Sequence, residues 1–105
     1  MEETKQIFDS ATVKGDFILY RERPLVREGN TIIYGNMDDE YILSLIIMNE
    51  KEYKGKNVPD KVLVQIMKTD PSLSDVEKIV KQDLKNGLSE AFDIGIIWLE
   101  RLLNN

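Results

Sequence analysis

Three of the chain's four arginines, Arg21, Arg23 and Arg27, fall within one short stretch. In an extended segment they share parity with Leu25 and project to one side, where planar guanidinium forks suit phosphate or carboxylate groups. They are the candidate ligand-binding residues, for a small anion or an acidic partner. The competing reading is the solvent side of an edge strand, where basic side chains discourage edge-to-edge association. A second polar cluster, Asn36 with Asp38-Asp39-Glu40, offers oxygens to a hard cation. It lacks the alternating acidic positions, the glycine and the later glutamate of an EF-hand loop. Adjacent carboxylates there read as a solvated turn, and no metal site is assigned.

Catalytic chemistry is limited by what is missing. The sequence contains no histidine and no cysteine. Histidine is the side chain that titrates near neutral pH, and cysteine supplies the thiolate for attack, disulfides and soft metals. Ser-His-Asp and Cys-His constellations, ordinary zinc sites, iron–sulfur clusters and disulfides are therefore excluded. Ser10, Ser44, Ser72, Ser74 and Ser89 stand in no Gly-x-Ser-x-Gly elbow. Gly55 between Lys54 and Lys56 matches neither a Walker loop nor a dinucleotide-binding loop. No catalytic residue is assigned and no cofactor is expected. Carboxylate, lysine or tyrosine chemistry is neither supported nor forbidden.

The net charge of −5 disfavours nucleic acid, because duplex affinity comes mostly from Lys and Arg neutralising phosphates. Tyr20, Tyr34, Tyr41 and Tyr53 near arginines could stack bases, but no RNP-like motif accompanies them. No apolar run reaches the roughly 18 residues needed to cross a bilayer, so no membrane partner is expected. The acidic start Met1-Glu2-Glu3-Thr4-Lys5 lacks the apolar core of a signal peptide. With the absence of cysteine, this gives a cytoplasmic expectation.

The elements that must position these residues divide the chain into a β part and an α part. One domain over 16–105 is expected, preceded by an N-terminal arm over 1–15 whose large apolar residues are Ile7, Phe8 and Val13, with a turn at Lys14-Gly15. A strand begins near Asp16–Tyr20. Pro24 marks the next stretch as an edge, since proline removes a ladder donor. Gly29-Asn30 is a two-residue hairpin turn leading into Thr31–Tyr34, and Gly35–Asp39 is a second turn. Strands follow at 41–48 and 61–68. Ser74 and Glu77 form a capping box opening a helix over 75–85, with a strand through Lys78–Gln82 as the alternative. Asn86-Gly87 stops that helix, and a last helix runs over 89–103 with Glu90 and Asp93 early and Arg101 late.

The fold class is thus α+β: a four- or five-stranded antiparallel meander followed by two C-terminal helices, the last packed across the sheet. The strand at 41–48 is apolar on both faces, Tyr41, Leu43, Leu45 and Ile47 against Ile42, Ser44, Ile46 and Met48. That pattern marks a central strand covered on both sides. One helix covers one face. The other needs the short elements, the arm or a second copy of the chain. On the last helix, Ile94 and Ile97 interrupt the polar side and Trp98 lies beside Phe92 in a possible ligand pocket or core. Ile94, Ile97 and Trp98 are the candidate interface. The leading expectation is a small non-catalytic interaction or regulatory module that self-associates as a homodimer or meets a protein partner. The alternatives are an anion binder using the arginines and a small enzyme.

Overall fold

The computed structural model describes residues 18–104. The expected arm over 1–15 and the residues before Ile18 lie outside the described residues. The chain forms β1 (Ile18–Tyr20), β2 (Arg23–Glu28), β3 (Thr31–Tyr34), β4 (Tyr41–Ile47), β5 (Glu50–Tyr53), β6 (Lys56–Pro59) and β7 (Lys61–Lys68). It then forms α1 (Asp75–Lys78), β8 (Ile79–Asn86) and α2 (Leu88–Leu103). Six strands make one antiparallel sheet in the order β1-β2-β3-β4-β7-β8, while β5 and β6 pair as a separate hairpin. The α+β architecture with a helix across an antiparallel sheet is the one expected. The sheet is larger by the strand that sequence reading placed in a helix.

That strand is β8. The capping box forms: Ser74 accepts from the Glu77 backbone and Glu77 accepts from the Ser74 backbone. The helix it opens lasts only from Asp75 to Lys78. From Ile79 onward the chain pairs with β7, opposing Leu84 to Leu63 and Gln82 to Gln65, with a bulge where Ile66 and Met67 face Lys81 and Ile79. Pairing gives β7 its second neighbour and satisfies a full row of backbone groups, which outweighs helical spacing worth a few tenths of a kcal/mol per residue. Gly87 accordingly ends no helix. At φ +89° it is the N-cap of α2, joining it to β8.

Of two further local expectations, one holds and one changes. Gly29 takes φ +59° in the turn between Glu28 and Thr31, as a two-residue hairpin requires. Pro24 is not on the sheet edge: β2 lies between β1 and β3, and Pro24 opposes Leu19 of β1. Its carbonyl accepts from Gly35 at 3.0 Å.

Helix α2 crosses β4, β7 and β8. Its Ala91, Phe92, Gly95, Ile96, Trp98 and Leu99 are buried. They meet Leu43, Leu45, Ile47, Val62, Val64 and Ile66 from the sheet, with Leu25, Ile32 and Tyr34 completing the same cluster. Period-2 alternation puts these sheet residues on one face. Among the described residues no helix is long and apolar enough to cross a membrane.

Candidate functional site

The three arginines do not converge. Arg21 lies in the turn between β1 and β2, and Arg23 opens β2. Both guanidinium groups stand 3.7 Å from the Glu100 carboxylate on α2. Arg23, Leu25 and Arg27 do share a face, as the alternation predicted, but it is the face beneath the helix. Arg27 is at the far end of β2, where its Nε donates to the Gly29 carbonyl at 3.2 Å. Glu100, which draws Arg21 and Arg23 together, lies on α2, far along the sequence from both. No local signal could reveal a contact spanning so much of the chain.

The turn that presents Arg21 is strained. Arg21 and Glu22 have φ of +52° and +68°, the left-handed region that costs a side-chain-bearing residue about 1–2 kcal/mol. Arg21 also stacks over the Tyr20 ring, 5.2 Å from its centroid. Tyr20, Tyr34 and Phe92 form an aromatic trio with centroids 5.5–6.0 Å apart. The Tyr34 hydroxyl donates to the Tyr20 carbonyl at 2.7 Å. Burial pushes the Tyr34 phenol above its ordinary value, outweighing the opposing pull of Arg23. Phe92 is therefore a core residue that ties α2 to β1 and β3.

The helical candidates separate in the same way. Trp98 is 9% exposed, and the Lys81 ammonium sits 4.4 Å from its ring centroid. Ile94 is half-buried against the core. Ile97, at 44% exposure, is the one of the three with a largely exposed side chain. It borders an open groove of about 520 Å³ with Glu100, Arg101 and Asn104. One carboxylate and one guanidinium along a single helix supply no nucleophile and no converging acid–base pair.

The sheet face opposite α2 is a second apolar feature. Register places Val26, Ile33, Ser44, Gln65 and Gln82 in one row across it, and Glu28, Thr31, Ile46, Leu63 and Leu84 in the next. Ile42, Ser44 and Gln65 are buried between their neighbours. Val26, Ile33, Ile46, Leu63 and Met67 are half-buried, and Leu84 is 50% exposed. Gln65 donates to Gln82 at 2.9 Å, so the polar pair in this row is mutually satisfied. Among the described elements none crosses this face; α1 is one turn long with no buried residue.

The β8 edge of the sheet is a poor site for adding a strand. On β8, the Gly87 amide donates inward to Asp60 of the connection before β7, so the Leu84 and Asn86 amides point outward by alternation. Side chains already occupy both: Asp83 accepts from Leu84 at 2.8 Å and Glu90 accepts from Asn86 at 3.0 Å. Capped amides and charged side chains blunt the edge.

The acidic turn is built from its own backbone. Asn36 Oδ1 accepts from the Asp38 amide at 3.0 Å, and the Asn36 carbonyl accepts from Asp39 at 2.9 Å. Among the described residues no three acidic side chains group closely enough to hold a metal ion. No protein-family model, curated protein or solved structure matches the chain.

Proposed function

We propose that this protein is a small non-catalytic interaction module that associates with a second copy of itself. The observation that carries this reading is the sheet face opposite α2, with five half-buried aliphatic or thioether side chains and no described element across it. Each large aliphatic side chain withdrawn from water contributes roughly 1.5–3 kcal/mol when fully buried. Completing the burial of several together favours association. The arginines are in part engaged within the chain: Arg21 and Arg23 share Glu100, and the Arg27 Nε turns back to Gly29. The test is mass in solution by light scattering coupled to size-exclusion chromatography over a hundredfold range of concentration. A dimer that dissociates on dilution is expected. A monomer at every concentration overturns the reading.

A further inference from the structure

We infer that the second copy lies face to face on this sheet, its strands aligned with those of the first, about a two-fold axis parallel to the strands along the β3–β4 seam. The inference rests on the self-association proposed above and specifies its geometry. The strand order β1-β2-β3-β4-β7-β8 leaves three strands on each side of that seam. The axis therefore sets β3 over β4, β2 over β7 and β1 over β8 of the other copy. Aligned sheets pack about 10 Å apart with strands within about 30° of each other.

Charge selects this axis. The paired strand residues of the open face carry two charged side chains, Glu28 on β2 and Lys61 on β7, both exposed and both at the same end of the sheet. Glu28 lies in the row of Leu63, and Lys61 lies one step further along β7. Within one copy they are three strand spacings apart, ~14 Å, too far to pair directly. The proposed rotation carries Glu28 of each copy to Lys61 of the other, within reach of two long side chains, and does so twice. A two-fold perpendicular to the strands would instead send the charged end of one sheet to the uncharged end of the other.

Shape agrees with charge. Under this axis Ile33 stands over Ser44 of the second copy and Ile46 stands over Thr31, a large side chain meeting a small one each time. The blunted β8 edge favours a face over that edge, because strand addition at β8 would first have to displace Asp83 and Glu90 from the edge amides. Among the described residues Lys61 donates to a neutral side chain, Asn86, and forms no ion pair, which leaves its charge for a partner.

Sedimentation of the full chain and four variants tests the geometry. Glu28→Lys and Lys61→Glu each turn two attractive contacts into two repulsive ones, and each is expected to raise the dimer dissociation constant by about fivefold or more. The double swap, Glu28→Lys with Lys61→Glu, is expected to return it to within about twofold of the parent, as complementarity restored demands. Ile97→Asp, on the helix, is expected to leave it unchanged. A dimer indifferent to the single swaps, unrestored by the double swap, or broken by Ile97→Asp overturns this geometry and leaves self-association standing. A monomer throughout overturns both.

Discussion

Gly95 of α2 lies directly on the side chain of Leu43: a Cβ built at position 95 would stand 2.5 Å and 2.8 Å from the two Leu43 methyls and 3.2 Å from its Cγ. The group that approaches this glycine is the Leu43 side chain from β4. Leu43 is fully buried, so its methyls have no open space to enter. Gly95→Ala therefore has two opposed effects. Alanine favours the helix by about 1 kcal/mol, while forcing a methyl into a filled core costs about 1–3 kcal/mol. The expected outcome in urea unfolding is a net loss of up to about 2 kcal/mol. Leu43→Val in the same chain should recover part of it, so the double variant loses less than the two singles added. Additive losses would show that the contact does not govern the site.

Lys81 is expected to act as the lid of Trp98. The ammonium over the indole face contributes about 0.5–1 kcal/mol where partly exposed, and its stem excludes water from the ring. Lys81→Ala should red-shift the emission of the single tryptophan and lower stability by that amount. Lys81→Arg should preserve both, since guanidinium stacks on indole at least as well. An unshifted spectrum in the alanine variant would show that Lys81 does not shield the ring.

The legibility of these features followed their physical range. β4 and β7 were readable because a central strand is apolar on nearly every position, and because Val62, Val64 and Ile66 recur at every second position of β7. The turn at Gly29 was readable because a two-residue hairpin turn needs its backbone freedom. β8 was not, since its residues are nearly all exposed or half-buried and an edge strand needs little apolar patterning. Val76, Ile79, Val80 and Leu84 fit a helical spacing equally well, and only pairing with β7 decides between them. The shared parity of Arg23 and Arg27 was legible in the same way as the strands. Their separation was not, because Glu100 and Gly29 claim them through contacts fixed by the tertiary fold. Trp98 and Ile94 were likewise placed on the helix correctly, but their cover comes from other elements.

Tyr34→Phe should separate a hydrogen bond from a packing contact. The ring keeps its contacts with Tyr20 and Phe92, while the 2.7 Å bond to the Tyr20 carbonyl is lost. A loss of about 0.5–1.5 kcal/mol is expected from denaturant unfolding at neutral pH. The alkaline limb carries a second sign. Burial holds the folded phenol above its ordinary value, so its contribution is complete below the unfolded value near 10 and is lost as pH rises through the folded value. Stability of the parent should fall above about pH 10, and that part of the fall should be absent in Tyr34→Phe. Parallel alkaline limbs for the two chains would assign the loss to other groups.

Asp83 couples the closed edge to acid. Its carboxylate accepts from the Leu84 amide and lies 3.2 Å from the Lys85 ammonium, and these partners hold its pKa below the usual aspartate value, the amide first. Asp70 and Glu77 are lowered in the same direction by bonds from Ser72 and Ser74. A carboxyl depressed in the folded state contributes stability that is present above its unfolded value, near 4, and is lost as pH falls through the folded one. Protonating Asp83 also weakens its hold on the Leu84 amide, reopening a donor on the edge of β8. Asp83→Ala should therefore flatten part of the loss of stability below about pH 4. At neutral pH it should also make the protein aggregate in thermal melts more readily than Asp70→Ala, which removes a carboxylate bonded to Ser72 in the β7–α1 connection rather than to an edge amide. Equal aggregation of the two variants would show that the Asp83 cap does not protect the edge. An unchanged acid limb would show that the linkage lies elsewhere.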